Sequence, residues 1–191
     1  MQDSFYRSPK PVEVAPYIFK FKFLTPEFCK YIINVCENLN TWSPAEEDPD
    51  FYTQDINFEI ELPTLFRTIS ARLQDTIYPI IEPVMSTEIE KPYTIFAIKY
   101  CMEGQTHLPI HRDESYVSGS IKLNNDYEGA ELTFPEQGFT NKDVEVGDLL
   151  MWPGSITHPH GSDHLLEGTK YSLTIWTPYP TIENREPTRR Y

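Results

Sequence analysis

A chain of 191 residues with 16 Lys and Arg against 29 Asp and Glu carries a formal charge of −13. Its length suits one domain, expected to span residues 1–191, and is enough to remove roughly two-thirds of the unfolded surface from water. The acidic balance repels phosphate backbones and argues against nucleic acid as a partner; it suits a cationic partner, or serves only to keep the protein in solution.

The polar, proline-bearing start predicts a loose arm over residues 1–12. The opening MQDSFYRSPKP lacks the apolar core of a signal peptide, and no apolar run approaches the roughly 20 residues needed to cross a bilayer. A soluble, cytoplasmic protein without a membrane partner is expected. A first strand is predicted over Tyr17–Leu24, then a helix capped by Thr25 with Pro26 in its first turn and Phe28, Ile32, Val35, Cys36 and Leu39 as its apolar stripe. Cys29 and Cys36 both fall toward the core, and three cysteines (Cys101 is the third) cannot all pair, so reduced thiols are expected. The acid-rich stretch 43–50 reads as a solvated loop or, alternatively, a lid. Beyond a strand around Thr53–Ile60, Pro63 opens a second helix with Leu65, Phe66, Ile69, Leu73 and Ile77 inward, ended or kinked by Pro79 and Pro83. From Tyr93 onward YTIFAIKY, SGSIKL, ELTF, DLLMW and KYSLTIWT are short β-rich runs between turn formers. Helices followed by such a run predict an α+β, mainly β fold: a double-sheet jelly roll with N-terminal supporting helices.

All five histidines lie between His107 and His164, within the β-rich half. In His111-Arg112-Asp113 the two potential ligands are two apart, so on extended chain they share a side and Arg112 points away. Thr157-His158-Pro159-His160 offers two candidates for a third ligand. Two imidazoles and one carboxylate on one face of a metal are the arrangement of non-haem Fe(II) oxygenases, whose open positions accept a 2-oxo acid and O2. The same ligands also suit a Zn hydrolase, and a catalytically inactive jelly roll kept as a binding module is a further alternative. Lys170, at the start of an apolar strand, needs an anionic partner if it points inward; the alternative is that it alternates outward into solvent.

Tyr100–Pro178 resembles the catalytic domain of 2-oxoglutarate/Fe(II) dioxygenases, in particular the procollagen lysyl hydroxylases. The resemblance rests on Tyr100 eleven residues before His111, the HxD motif His111–Asp113, Asp126-Tyr-Glu-Gly129, Gly147-Asp-Leu-Leu-Met-Trp-Pro-Gly154, Thr157–His160 and Gly168-Thr-Lys-Tyr171. Weaker likeness runs upstream through Thr25–Cys29, Asn40–Trp42 and Thr53–Ile56. In the family the distal iron ligand precedes the basic cosubstrate anchor by ten residues, which implies His160 rather than His158. The resemblance thus implies Fe(II) on His111, Asp113 and His160, and 2-oxoglutarate on Lys170 with Tyr100 and Ser172 beside its distal carboxylate, although these two are also readable as polar core residues. O2 is the implied co-reactant, and ascorbate an accessory reductant. It implies hydroxylation of an amino-acid side chain in a peptide or free amino acid, with release of succinate and CO2. Lysine is the first choice of substrate. Lys170 stands where lysyl hydroxylases carry Arg and follows the prolyl 4-hydroxylase pattern, so peptidyl proline is the second. Trp152 and Trp176 are expected to pack and glycines 147, 154 and 168 to mark turns; His107, His158 and His164 are read as non-ligands, with support of the metal site from a short distance as an alternative role for His158.

Overall fold

A computed structural model describes residues 10–43 and 53–180. After β1 (Val12–Ala15) and β2 (Ile18–Lys22) comes helix α1 (Pro26–Leu39), whose Thr25 hydroxyl accepts from the Phe28 amide at 3.3 Å. β1 reaches back to Val12, so the expected 1–12 arm ends before it; residues 1–9 and the acidic stretch 44–50 lie outside the described residues. The strand expected over 53–60 is only β3 (Asp55–Asn57), because the Asn57 side chain accepts from the Glu59 and Ile60 amides and starts α2 (Phe58–Glu61).

The second predicted helix is α3 (Pro63–Arg72), a π-helical turn (Leu73–Ile77) and α4 (Tyr78–Met85) in one continuous run. Pro79 does not end it. The widened turn lies just ahead of the proline, where a regular helix would drive the ring into the carbonyl four residues back. Pro83 is carried inside α4, and the helix stops only where Ser86 adopts a left-handed conformation.

The β-rich half supplies β4 (Thr94–Cys101), β5 (Leu108–His111), β6 (Val117–Lys122), β7 (Tyr127–Gly129), β8 (Leu132–Phe134), β9 (Phe139–Thr140), β10 (Asp148–Pro153), β11 (His160–Ser162) and β12 (Leu165–Trp176). They form two antiparallel sheets: β1-β2-β10-β6-β12-β4-β3, with β7 on β12, and β5-β11-β8-β9. This is the predicted jelly roll. Strand periodicity gives the larger sheet two faces with different work. Leu149 and Met151 of β10, Leu173 and Ile175 of β12 and Ile95 and Ala97 of β4 pack with Phe28, Cys29, Ile32 and Cys36 of α1 and with Phe66, Ile69, Leu73 and Ile77. Their neighbours Leu150 and Trp152 turn the other way and meet Leu132 and Phe134 of the smaller sheet. Helices therefore close one face, and the second sheet only partly closes the other. Cys29, Cys36 and Cys101 are buried and none is in a disulfide, and no described helix is long and apolar enough to cross a membrane.

Gly147 sets the entry to β10. Its φ is +85°, and a Cβ there would lie 2.1 Å from the Leu24 carbonyl oxygen. That carbonyl cannot retreat easily, since the Leu24 amide is bonded to the Gly147 carbonyl at 2.9 Å. Gly147→Ala is expected to cost more than about 2 kcal/mol of stability, measured by urea denaturation. Gly154 is required for close approach rather than for a turn: a Cβ would sit 2.2 Å from the Ser115 carbonyl oxygen.

Candidate active site

The gap between the sheets is a cavity of about 620 Å³ whose walls are the inward positions of both. β12 contributes Lys170, Ser172, Thr174 and Trp176, each two residues from the next, and β4 contributes Phe96, Ile98 and Tyr100. Ser120, Trp152, Leu132, His160, Gly161 and Ser162 complete the interior, with Thr53, Ile110, Arg112 and Glu114 among the remaining lining residues.

His111 ends β5 and His160 begins β11, and the two are directly paired across the ladder. Asp113 follows in the loop after β5, 5 % exposed. His111 Nε2 lies 3.4 Å from Asp113 Oδ1 and His160 Nε2 3.5 Å from Oδ2. One ligand atom from each of the three residues falls within 4.8 Å of the others. Both histidines are fixed by the opposite nitrogen: His111 Nδ1–H donates to the Pro109 carbonyl and His160 Nδ1–H to the His158 carbonyl, each at 2.9 Å. A carbonyl only accepts, so in each neutral ring the lone pair sits on Nε2, facing the carboxylate.

This donor set fits a divalent iron ion on three grounds. Two imidazole nitrogens and one carboxylate converge, the tautomers are correct for ligation, and Asp113 Oδ2 is buried with no hydrogen-bond partner among the described residues. Electrostatics agree. Burial pulls the His160 pKa below its ordinary value and so keeps the ring neutral. Burial alone would raise Asp113, but bonding to His111 and the charge of His160 outweigh it and hold the carboxyl below its usual range. Burial likewise pulls His111 down, yet Asp113 and the Pro109 carbonyl prevail and leave its pKa raised.

An aromatic clamp sets the His160 ring. Phe134 stacks on it at 5.2 Å between ring centroids and 29° between planes, and Trp152 meets it edge-on at 5.0 Å. Phe134 and Trp152 also contact each other at 5.0 Å. Trp152 thus packs against a candidate metal ligand and lines the cavity. Phe134→Ala is expected to cost about 3–5 kcal/mol and to weaken metal binding, read by denaturant titration and by metal titration of the folded variant.

Lys170 points inward. It is 3 % exposed, and its Nζ donates to the Ala130 carbonyl at 2.6 Å and to the Ser162 hydroxyl at 2.9 Å, 4.5 Å from the centre of the Tyr100 ring. Burial lowers its pKa to about 7, with Lys122 adding to the effect and Glu131 and Asp163 opposing it. Burial pushes the Tyr100 hydroxyl up to about 12, against the opposing effect of its hydrogen bond with Ser162. Ser172 lines the same cavity.

The His158 ring takes no part in the three-residue cluster. Its Nε2 meets the Pro16 carbonyl at 2.9 Å and its Nδ1 the Thr157 hydroxyl at 2.8 Å, so the side chain ties the β11 approach to the β1–β2 turn. Its contribution to the metal site is the backbone carbonyl that orients His160. Arg112, expected to point away, is exposed but lines the cavity, with Nε donating to the Ile156 carbonyl at 2.9 Å. His107 and His164 stack on each other at 4.1 Å, outside the triad. Ser162, Ser120 and Thr174 were not singled out in the sequence; the alternation of β12 from Lys170 is the signal that finds Thr174.

No protein-family model matches the chain. It is 26 % identical over 181 residues to a multifunctional procollagen lysine hydroxylase and glycosyltransferase of Caenorhabditis elegans, covering 84 % of this chain and 24 % of that protein. It is 25 % identical to a procollagen-lysine,2-oxoglutarate 5-dioxygenase of Drosophila melanogaster, covering 87 % of this chain and 25 % of that one. The chain thus spans about a quarter of the length of these curated relatives. Among solved structures, a Pseudomonas putida prolyl-4-hydroxylase superposes with a TM-score of 0.64 at 16 % identity, covering 86 % of this chain and 94 % of that one. A viral collagen prolyl hydroxylase from Paramecium Bursaria Chlorella virus-1, in a 2OG complex, gives 0.61 at 15 %, covering 86 % and 98 %. A non-heme alpha-ketoglutarate-dependent carbocyclase of nogalamycin biosynthesis gives 0.60 at 12 %, covering 92 % and 82 %. The chain is a distant relative of the procollagen lysyl hydroxylases, built on the jelly-roll fold of the 2-oxoglutarate/Fe(II) dioxygenases.

Proposed function

We propose that the protein is a 2-oxoglutarate- and Fe(II)-dependent dioxygenase that hydroxylates an unactivated C–H bond of a peptide side chain, with lysine as the target. The observation that carries this reading is one cavity holding both a two-imidazole, one-carboxylate cluster and a fully buried lysine. His111, Asp113 and His160 would hold the iron, and Lys170 would take the far carboxylate of 2-oxoglutarate, with Tyr100, Ser162 and Ser172 around it. The bound iron supplies oxidation of the 2-oxo acid by O2 to succinate and CO2, and transfer of one oxygen atom to the target. The protein's own part is positional. The Pro109 and His158 carbonyls orient both imidazoles and fix the tautomer with Nε2 free, the Phe134–Trp152 clamp restrains His160, and the apolar walls from Ile98, Leu132 and Trp152 limit water around the reacting atoms. Ascorbate belongs to this reading as an accessory reductant, and a reducing cytosol as its compartment.

Peptidyl proline is the second reading, supported by Lys170 in the anchor position and by the prolyl hydroxylases among the fold's neighbours. Anaerobic addition of Fe(II) and 2-oxoglutarate is expected to give a charge-transfer absorption band. Succinate release across lysyl, prolyl and Asp/Asn peptides and free amino acids, with mass spectrometry for one added oxygen, identifies the target. Absence of the band together with unchanged metal binding by His160→Ala would overturn the dioxygenase reading. A band without turnover of any lysyl substrate would overturn lysine alone.

A further inference from the structure

The mouth of the cavity has a chemical character that neither the metal site nor the anchor requires. Trp176 and Phe96 form one wall, edge to face at 5.2 Å and 84°. Tyr93 extends it, packing on Trp176 at 6.3 Å. The Tyr93 hydroxyl also donates to the Glu114 carbonyl at 3.1 Å, tying the aromatic wall to the segment just after Asp113. Glu114 itself is exposed and lines the same cavity, and the negative fields of Glu114 and Asp113, after burial, help to raise the Tyr93 pKa. An exposed acid lining the same cavity as a half-buried indole suits an alkylammonium group: the ring quadrupole attracts the cation, the carboxylate neutralises it, and the ring body covers its methylenes. The nearby cation, Arg112, has its Nε engaged by the Ile156 carbonyl.

We propose that Glu114 and the Trp176–Phe96 wall are the determinants that select a side chain ending in an ammonium group, acting as substrate-binding residues. This deepens the dioxygenase reading and rests on it for the reaction, but not for binding. Glu114 follows Asp113 directly, so an ammonium held by its carboxylate is kept near the metal cluster while the methylenes behind it remain available. A prolyl ring carries no charge for Glu114 to neutralise.

The test is isothermal titration of the intact protein, with Fe(II) and 2-oxoglutarate under anaerobic conditions, using a short lysyl peptide and its Nε-acetyl-lysyl counterpart. The wild type is expected to bind the lysyl peptide at least about tenfold more tightly, and this preference should shrink with added salt. Glu114→Gln, which keeps size and exposure, is expected to remove most of the preference, and Trp176→Leu to weaken the lysyl peptide several-fold with circular dichroism unchanged. Equal affinity of the wild type for both peptides, or a preference surviving Glu114→Gln, overturns the proposal. A charge-selective protein that releases no succinate with either peptide would instead overturn the dioxygenase reading and leave this one standing.

Discussion

Replacing Asp113 by Ala is expected to abolish Fe(II)-dependent turnover, with a fall well beyond a hundredfold. Changing mere outer partners of metal ligands typically costs 10–100-fold in affinity or activity, and Asp113 lies between the two histidines at 3.4 and 3.5 Å. The fold should survive the change. With the carboxylate gone, His160 is already kept neutral by burial, and His111, whose raised pKa depends on Asp113, loses the reason to stay charged. Metal titration and circular dichroism on the same sample separate the outcomes: lost metal binding with intact ellipticity is expected, and retained stoichiometric binding would remove Asp113 from the cluster.

Lys170→Met is expected to weaken 2-oxoglutarate by roughly 2–5 kcal/mol, the usual cost of truncating one member of a buried, hydrogen-bonded charge pair. pH adds an independent check. In the ligand-free protein the Lys170 pKa is lowered to about 7, below the roughly 10.4 of an exposed lysine. The unfolded chain therefore binds the extra proton across that window. Stability from this group is fully present above about pH 10 and is lost as pH falls toward 7. A dicarboxylate in the cavity reverses the preference by giving the ammonium a partner, so its binding takes up a proton above pH 7. Affinity should then decline by up to about tenfold per unit from pH 7.5 to 9. Calorimetry in two buffers of different ionisation enthalpy reads the proton directly. A flat affinity profile with no proton uptake would mean that Lys170 is already charged when empty, and Lys170→Met should flatten whatever slope exists.

Much of this site was legible in the chain because strand periodicity is local. Once DLLMW and KYSLTIWT are read as strands, the inward sets follow by counting in twos, and Lys170 joins Ser172 on the cavity face. His111 was likewise placed by its spacing from Asp113. What sequence could not supply was the long-range pairing. The contact of His111 with His160 is a cross-strand register between β5 and β11, and neither four-residue β5, with a proline inside it, nor three-residue β11 has a pattern long enough to announce a strand. The two-residue spacing of His158 from His160 suggested a supporting role on the same side, but the approach to β11 is irregular and the ring turns to Pro16 instead. At 57–61 the side-chain cap of Asn57 overrode an apolar–polar alternation that reads as strand.

The alternation along β12 also acts as a ruler with coarse graduations. An anchoring cation can occupy this strand only at every second position, so moving it to the next inward site, 172, shifts it by about 6.6 Å. That step exceeds by several-fold the difference between dicarboxylic acids one methylene apart. Discrimination among cosubstrate lengths cannot then come from relocating the anchor; it must come from what the residue at 170 is. Lysine and arginine differ there in reach and in the number of donors they present, which makes this single position a fine adjustment on a scale the backbone can set only in large steps.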